Sequence, residues 1–339
     1  MKAMSNGTKV LTLADLARRC GVSPVTVSRA LSGNRLVAAS TRERVLATAS
    51  ELGYSPNLLA RALAQNRSST LGVVIHEFSN PFYSPMVSAI ENAAASRDLL
   101  VVLGESQRDP LLERRYVERF RQLRAAGIII TPATRGVRHL DALSSAGIPV
   151  VVLARQWKKG DFVTVDNVTG GRLAARHILE RGHRRVGVVY SDNPENTAVQ
   201  ERVGGFRQTL KTGGVAVPAD WDIRTPRTSF EDGQLAADRL LALSRRPSAL
   251  FAVTDRMAMA LIHHLLQHGV RVPEDIAVVG YDDMPYAMYS EIPLTSVAIP
   301  VRQMGEVSAS ILFERLDRGP GRRHHVLLPP SLVVRASCP

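Results

Sequence analysis

The chain has 339 residues, a length that suits two or three domains. Hydrophobic residues make up 45% of it and charged residues 22%, which excludes wholesale disorder. No apolar run approaches the roughly 18 residues of a membrane span, and residues 1–10 lack the apolar stretch of a secretory signal. We therefore expect a cytoplasmic protein with no membrane partner.

Positive charge is concentrated in the first fifth of the chain. The formal net charge is +12, and residues 1–68 carry ten Lys and Arg against three Asp and Glu. A compact basic module indicates a polyanionic partner, either nucleic acid or an anionic membrane surface. A membrane-surface helix would carry Trp, Phe or Leu on a broad apolar face, whereas the single aromatic residue here is Tyr54. Nucleic acid is therefore favoured.

Two short helices are predicted at the start of the basic module. Thr12 followed by Asp15 predicts a variant of the capping box for the first helix, which Gly21 ends. Ser23 caps the second helix, and Pro24 takes its first position, where a missing N–H has no cost.

A third helix completes the module. Gly33 stops the second helix, and Thr41 is predicted to cap the third, which extends to Gly53. Apolar residues at helical spacing predict the inward faces of the three helices. These are Leu13, Leu16 and Ala17, with Val22 in the turn, then Val27, Ala30 and Leu31, and finally Val45, Leu46, Ala49 and Leu52.

The tight turn between the first two helices is typical of a helix-turn-helix. It lets the second helix stand off the body and enter a DNA major groove. Arg29 on that helix would reach both acceptors of a guanine edge. Ser23, Thr26 and Thr41 would donate to phosphates. The outward positions of the second helix are Pro24, Val25, Ser28 and Arg29. Geometry alone leaves open a three-helix domain that binds protein.

From Thr70 onward, short apolar strands alternate with segments long enough for helices. This pattern predicts an α/β domain with doubly wound parallel sheets covered on both faces, and ligands bind such sheets at the carboxyl ends of the strands. The predicted strands are Leu71–Ile75, Leu99–Leu103, Gly127–Thr131, Pro149–Leu153, Arg185–Tyr190, Ala249–Val253 and Ile276–Gly280, with a last strand at Ser331–Val334.

The chain resembles the lactose/galactose repressor (LacI/GalR) family of bacterial transcriptional regulators over nearly its whole length. The N-terminal motifs are TLADLARRCGVSPVTVSRAL at residues 12–31, TRERV at 41–45, LGYSPN at 52–57 and ARAL at 60–63. Later motifs are NPFY at 80–83, DN at 166–167 before GG at 170–171, RGHRRVG at 181–187, Arg202 before GF at 205–206, TD at 254–255, VGYDD at 279–283 and LTSV at 294–297.

The resemblance implies three segments. An all-α helix-turn-helix domain would take residues 1–55, a hinge helix and linker 56–69, and a two-lobed, periplasmic-binding-protein-like (type I) α/β core 70–339. Lobe 1 would take about 70–166 and 298–327, and lobe 2 about 167–297 and 328–339. Two lobes around a cleft permit hinge closure on a ligand.

The resemblance also implies DNA contacts outside the second helix. Residues 56–64 match the hinge helix that forms when the dimer sits on its operator. Leu63 matches the leucine that inserts into the minor groove, and Ala60 lines that contact. Insertion kinks the duplex, and the cost of unstacking the bases is recovered through additional contacts between protein and DNA. Asn57 matches a phosphate-contacting position. Two positions that would tune operator choice through apolar contact with thymine methyls are Pro24 and Val25.

Effector contacts are implied in the core. Arg202 and Asp282 match positions that hydrogen-bond ligand hydroxyls, and a guanidinium fork beside a carboxylate suits a polyol ring. Phe82 and Tyr83 would cover the C–H face of a sugar. The alternatives are a structural ion pair for Arg202 with Asp282 and an ordinary core position for Phe82. Further effector candidates are Thr131, Arg155, Asn196 and Thr254.

Two features leave the effector open. Ile299 and Val301 depart from the polar or aromatic ligand contacts that the family pattern would place after LTSV. Arg155, Lys158 and Lys159 would suit an anionic ligand such as a sugar acid, or form a solvated charge cluster.

No motif in the sequence predicts catalysis or a cofactor. There is no dinucleotide fingerprint after a strand, no P-loop and no nucleophile elbow. His264 and His268 have a spacing that permits metal binding, but Leu265 replaces the Glu of a zinc-protease motif, so no metal site is predicted. Cys20 and Cys338 are expected to be unpaired thiols. A solute-binding receptor and an α/β enzyme are the weaker alternatives.

We therefore expect a sequence-specific DNA-binding regulator, a repressor of carbohydrate or sugar-acid utilisation genes controlled allosterically by a sugar or sugar acid. Two copies would bind a pseudo-palindromic operator. Because the chain ends at Pro339 with no heptad-bearing tail, a homodimer is expected rather than a tetramer. The effector would act as an inducer or as a corepressor.

Overall fold

The computed structural model describes residues 11–31, 34, 36–54 and 69–339. The chain divides into two compact units, Met1–Ser68 and Ser69–Pro339, called here the N-terminal unit and the core.

Three helices are described in the N-terminal unit: α1 (Leu13–Cys20), α2 (Pro24–Leu31) and α3 (Ala39–Glu51). The predicted capping box of α1 is confirmed, because Thr12 Oγ1 accepts from Asp15 N at 3.3 Å and Asp15 Oδ2 accepts from Thr12 N at 3.0 Å. Gly21 ends the helix with a φ of 63°, where a residue without a Cβ carries no steric cost.

The start of α3 differs from the prediction. The helix begins at Ala39, so Thr41 lies within its first turn and is not the cap; Ala38 precedes it without a side-chain cap bond. Leu46 was expected inside but is 47% exposed, because it lies about 100° around the helix from Val45 and so falls off the face that Val45 and Ala49 bury. The other predicted inward residues form or border the small core of this unit.

Two six-stranded sheets form the core, with helices between the strands. The first sheet has the order β11-β5-β4-β3-β1-β2 and is parallel throughout; the second has the order β12-β10-β9-β8-β6-β7, with only β12 antiparallel. The strands are β1 Thr70–Ile75, β2 Leu100–Glu105, β3 Gly127–Ile130, β4 Val150–Leu153, β5 Asp161–Val165, β6 Val186–Ser191, β7 Asp222–Thr225, β8 Ala249–Ala252, β9 Ala277–Asp282, β10 Thr295–Ala298, β11 His325–Leu328 and β12 Ser331–Val333.

Eight α-helices of the core are described. They are α4 Tyr83–Ala95, α5 Pro110–Gln122, α6 Arg138–Ser145, α7 Asn167–Glu180, α8 Thr197–Thr212, α9 Phe230–Leu241, α10 Asp255–Gln267 and α11 Val301–Arg318, with short 3-10 helices at Ala219–Trp221 and Pro285–Met288. Parallel sheets need such covering helices because both of their faces are apolar. In the described part of the chain, none of the helices has the length and apolar character needed to cross a membrane.

Each sheet defines one lobe, and the chain passes between the lobes after β5, β10 and β11. The predicted doubly wound, two-lobed α/β fold is confirmed, and every predicted strand is present within two residues at either end. Four strands were not predicted: β5, β7, β10 and β11. β5 begins with the charged Asp161, whose carboxylate is held by Arg315 Nε at 2.7 Å and Nη2 at 2.9 Å. A partner so distant in sequence is not visible in a local hydrophobic pattern.

Candidate functional site

The exposed face of α2 is the candidate DNA-reading surface. Pro24, Val25, Ser28 and Arg29 are all exposed, as predicted, and Val25 is an apolar side chain with 58% of its surface exposed. Ser23 Oγ accepts from Thr26 N at 3.1 Å, which confirms Ser23 as the residue that caps α2. The face therefore offers one guanidinium among small apolar and hydroxyl groups.

Four further residues were predicted to contact DNA from outside α2. Thr41 is partly buried in the first turn of α3. Asn57, Ala60 and Leu63 lie outside the described residues, and their roles in phosphate contact and minor-groove insertion stay predictions.

A cleft between the two lobes of the core encloses about 640 Å³, counting the solvent at its mouth. Residues that follow the carboxyl ends of strands in both sheets line the cleft, the position at which doubly wound sheets bind ligands. All eight predicted effector residues are brought together there: Phe82, Tyr83, Thr131, Arg155, Asn196, Arg202, Thr254 and Asp282.

Two aromatic residues of lobe 1, at the start of α4, line the cleft. The rings of Phe82 and Tyr83 meet edge to face, with centroids 5.0 Å apart. Tyr83 is buried, and burial raises the pKa of its phenol. Phe82 is only partly buried, so it is the ring more available to cover a ligand.

The centre of the lobe 2 wall is a buried ion pair. Arg202 Nη1 lies 3.2 Å from Asp282 Oδ1, and each side chain is 9% exposed. The same guanidinium donates to Asn167 Oδ1 at 3.0 Å and to the Val253 carbonyl at 2.7 Å, and it stacks on the ring of Tyr281 at 3.7 Å. Arg202 and Asp282 can therefore be both a structural ion pair and ligand contacts, because the groups that hold Arg202 in place leave the pair bordering the cleft.

Burial dominates the ionisation of Asp282. It raises the pKa of this carboxyl to about 6, against the attraction of Arg202 and Arg256. Asp255 lies nearby, and burial together with repulsion from Asp282 raises its pKa well above the usual value. Asp255 accepts from Ser296 Oγ at 2.6 Å. Of the two carboxyls, Asp282 is the one that borders the cleft.

The backbone at the end of β9 is strained. Asp282 has a φ of 113° and Asp283 a φ of 51°, in a region that costs a non-glycine residue on the order of 1–3 kcal/mol. Asp283 is held by Ser296 Oγ, which accepts from its N–H at 3.1 Å, and by Arg335 Nη1, which donates to its carboxylate at 2.7 Å. Such strain is typical of ligand sites.

Glycines set the distance between α7 and α8, and so the position of Arg202. A Cβ at Gly171 would lie 1.9 Å from the carbonyl oxygen of Arg202, and one at Gly205 would lie 2.1 Å from that of Val168. A Cβ at Gly170 would meet the hydroxyl of Tyr281 at 2.2 Å. The glycine motifs noted in the sequence therefore permit a helix contact that brings the guanidinium to the cleft.

Several cleft residues were not predicted, among them His76, Arg108 and Thr228. His76 is buried beside Ser106, with 3.3 Å between Nδ1 and Oγ, and burial lowers its pKa well below the usual value, assisted by Arg108 and Arg155. His76 directly follows a predicted strand, which was a usable signal. Arg108 lies three residues beyond β2, in a loop whose direction the sequence pattern did not predict.

The structure shows where the residues that left the identity of the effector open lie relative to the cleft. Among the described residues, Ile299 and Val301 border a neighbouring apolar groove and not the cleft. Arg155 lines the cleft, whereas Lys158 and Lys159 are exposed, and Lys159 Nζ lies 3.2 Å from Asp141. The three cations are therefore not one cluster.

The histidine pair considered for metal binding has other contacts. The rings of His264 and His268 lie 4.6 Å apart, and His264 Nε2 is 2.7 Å from Asp238. Within residues 11–31, 34, 36–54 and 69–339, no group of three or more His, Cys, Asp or Glu is placed to hold a metal. Cys20 and Cys338 are buried free thiols.

Comparisons with known proteins agree with the fold. The profile of the bacterial regulatory proteins of the lacI family matches residues 12–57, and that of the periplasmic binding protein-like domain matches residues 175–338. The HTH-type transcriptional repressor PurR of Photobacterium profundum is 32% identical over 331 residues, which cover 96% of this chain and 98% of that protein.

Two solved structures are similar over nearly the whole chain. The transcriptional regulator CelR in complex with cellobiose is 31% identical with a TM-score of 0.73, covering 96% of this chain and 99% of CelR. The lac repressor dimer bound to operator and the anti-inducer ONPF is 26% identical with a TM-score of 0.87, covering 97% and 99%.

The helix-turn-helix and the two-lobed core define a DNA-binding transcriptional regulator and not an enzyme. The chain belongs to the lacI family of bacterial regulatory proteins.

Proposed function

We propose that this protein represses carbohydrate or sugar-acid utilisation genes and that a small polyol effector in the inter-lobe cleft sets its affinity for the operator. The observation that carries the proposal is the Arg202–Asp282 pair, which is buried, fixed from behind and open to the cleft on its remaining side. The CelR–cellobiose complex supports a sugar-like ligand.

On DNA, α2 enters the major groove with Arg29 on a guanine edge. Two copies of the chain bind a pseudo-palindromic operator in the cytoplasm, an arrangement supported by the lac repressor dimer on its operator. An exposed sheet edge supports self-association: β2 is the last strand of its sheet, and Leu100 and Leu103 are 59% and 38% exposed. Such an edge favours burial against another chain.

The effector acts through contacts between the lobes. Arg256 Nη1 of lobe 2 lies 3.1 Å from Glu77 Oε1 of lobe 1, and Arg155 Nη2 of lobe 1 donates to the Glu195 carbonyl of lobe 2 at 2.5 Å. A ligand changes operator affinity only by binding the two lobe arrangements unequally, and the coupling is reciprocal.

The test is operator binding by fluorescence anisotropy, with DNA from upstream of the protein's own gene, across a salt series. Selective, salt-dependent binding is expected. Arg29→Ala should weaken it by about 1–3 kcal/mol and relax selectivity at one base pair. Arg172→Ala, on an exposed position of the core, is the control and should have no effect. Equal binding by both variants would contradict the placement of α2 in the groove.

A further inference from the structure

The cleft carries more positive than negative charge. Its described lining contains three arginines, Arg108, Arg155 and Arg202, and one carboxylate, Asp282. Arg202 and Asp282 form an ion pair at 3.2 Å and balance each other. Arg108 and Arg155 are the two charged residues that lobe 1 contributes to the described lining.

The two acids nearest to Arg155 attract its charge, but their carboxylates make their hydrogen bonds outside the cleft lining. The buried Glu113 accepts from Ala133 N at 2.5 Å and lies 2.8 Å from His139 Nε2. The carboxylate of Glu195 accepts from Arg135 N at 2.6 Å. Neither glutamate is among the described residues that line the cleft.

Arg155 holds one unused buried donor. Its Nη2 donates to the Glu195 carbonyl, but its Nη1 is buried and has no hydrogen-bond partner among the described residues. Burial lowers the pKa of this guanidinium, and repulsion from Arg135 and Arg108 acts in the same direction against the attraction of Glu195 and Glu113. A buried charged donor without a partner is unfavourable, and Arg155 lines the cleft, where an anionic oxygen beside its guanidinium would be attracted to the charge.

Arg108 complements Arg155 from the cleft rim. It follows Gln107, and the two residues have φ values of 59° and 49°, a strained pair of left-handed residues that fixes the course of the loop. Burial, assisted by the charges of Arg108 and Arg155, lowers the pKa of His76 in the cleft wall well below its usual value, so that imidazole is neutral at pH 7. A neutral imidazole adds no charge to the cleft, and the Nδ1 of His76 already lies 3.3 Å from Ser106 Oγ.

We propose that the effector is an anionic polyol, whose carboxylate or phosphate lies between Arg108 and Arg155 of lobe 1 while its hydroxyls face Arg202 and Asp282 of lobe 2. The inference rests on the proposed function, since it names the chemical class of the ligand at the same site. An acid group beside two guanidiniums forms ion pairs that a neutral sugar cannot form. A ligand of this kind also ties the two lobes together.

The experiment compares matched ligands on the full-length protein. Hexoses are tested against the corresponding aldonates, uronates and hexose 6-phosphates at equal ionic strength, by thermal shift and then by calorimetry. The acid should bind about ten- to a hundredfold more tightly than its neutral counterpart. The carboxylate and phosphate arms of the panel identify the source of the anionic group.

Three variants assign the preference to residues. Arg155→Gln should abolish the preference for the acid, and Arg108→Gln should reduce it. Because Arg155 also contacts Glu195 across the lobes, the exposed Arg108 provides a variant that leaves that contact in place. Lys158→Gln removes a cation from the same loop as Arg155 but outside the cleft lining, and should change nothing.

The possible failures are distinguishable. If a neutral hexose stabilises the protein as well as its acid does, or if the preference survives Arg155→Gln and Arg108→Gln, the anionic class is wrong and the polyol cleft stands. If no acid in the panel stabilises the wild-type protein, the inference is likewise overturned. Operator binding measured on the same samples shows whether the regulator assignment fails as well.

Discussion

Substituting Gly171 by Ala tests how the cleft arginine is positioned. The added Cβ would lie 1.9 Å from the carbonyl oxygen of Arg202, whereas a normal carbon–oxygen contact is about 3.3 Å, so α7 and α8 must move apart by roughly 1 Å or more. Overpacking costs about 1–3 kcal/mol, and the upper end applies because the obstacle is backbone and not a side chain that can rotate. Alanine returns about 0.5–1 kcal/mol of helix propensity. We expect a net loss of about 2 kcal/mol.

The assay is urea denaturation of the full-length protein, with Gly204→Ala as the matched control. Gly204 lies in α8, and a Cβ there meets no described atom within 4 Å. That variant should gain about 0.5–1 kcal/mol, so the two alanine variants should differ by about 3 kcal/mol. Gly171→Ala should also weaken the effector response, since Arg202 moves with α8. Equal stabilities for the two variants would refute the close-approach argument.

Three further predictions concern charge and DNA shape. Burial raises the pKa of Asp282 from 3.8 to about 6, so ionisation of this carboxyl is less favourable in the folded state than in the unfolded state. The wild-type protein should therefore lose stability relative to Asp282→Asn as the pH rises from 4 to 6, and the difference should stay constant above pH 6. Thermal melts measure this, and the opposite trend would mean that Arg202 outweighs burial. Arg202→Ala leaves the buried Asp282 without its ion-pair partner and should lower the free energy of unfolding, measured by urea denaturation, by about 3–5 kcal/mol. A decrease of less than about 1 kcal/mol would contradict a tightly held ion pair. Leu63→Ala should reduce operator bending in a circular-permutation gel assay, and an unaltered bend angle would argue against insertion.

Local features of the chain were predictable because their causes are local. The Thr12–Asp15 capping box and the Ser23 cap depend on residues three apart, and each is present in the structure. Strands such as β1 and β3 were visible as apolar runs because both faces of a parallel sheet are buried. The start of α3 was misplaced because Thr41 is a favourable cap residue that the helix nevertheless includes.

Site residues were predictable where a family motif marked them. Arg202 and Asp282 were assigned to the cleft through such motifs, and the structure brings them within 3.2 Å of each other. Arg108 was not predicted, because what brings it into the same cleft lining as Arg155 is the order β4-β3-β1-β2 in the first sheet. Strand order arises from long-range pairing, which no local pattern contains.

The sequence by itself determined the kind of protein: a basic helix-turn-helix module followed by a doubly wound core with polar groups after its strands. Only the tertiary structure decided which charges remain available to a ligand. Lys159 pairs with Asp141 and Arg256 with Glu77, whereas Arg155 lines the cleft. The physical reason is that a charge is neutralised by what lies within a few ångströms, and the folding of distant segments sets those distances.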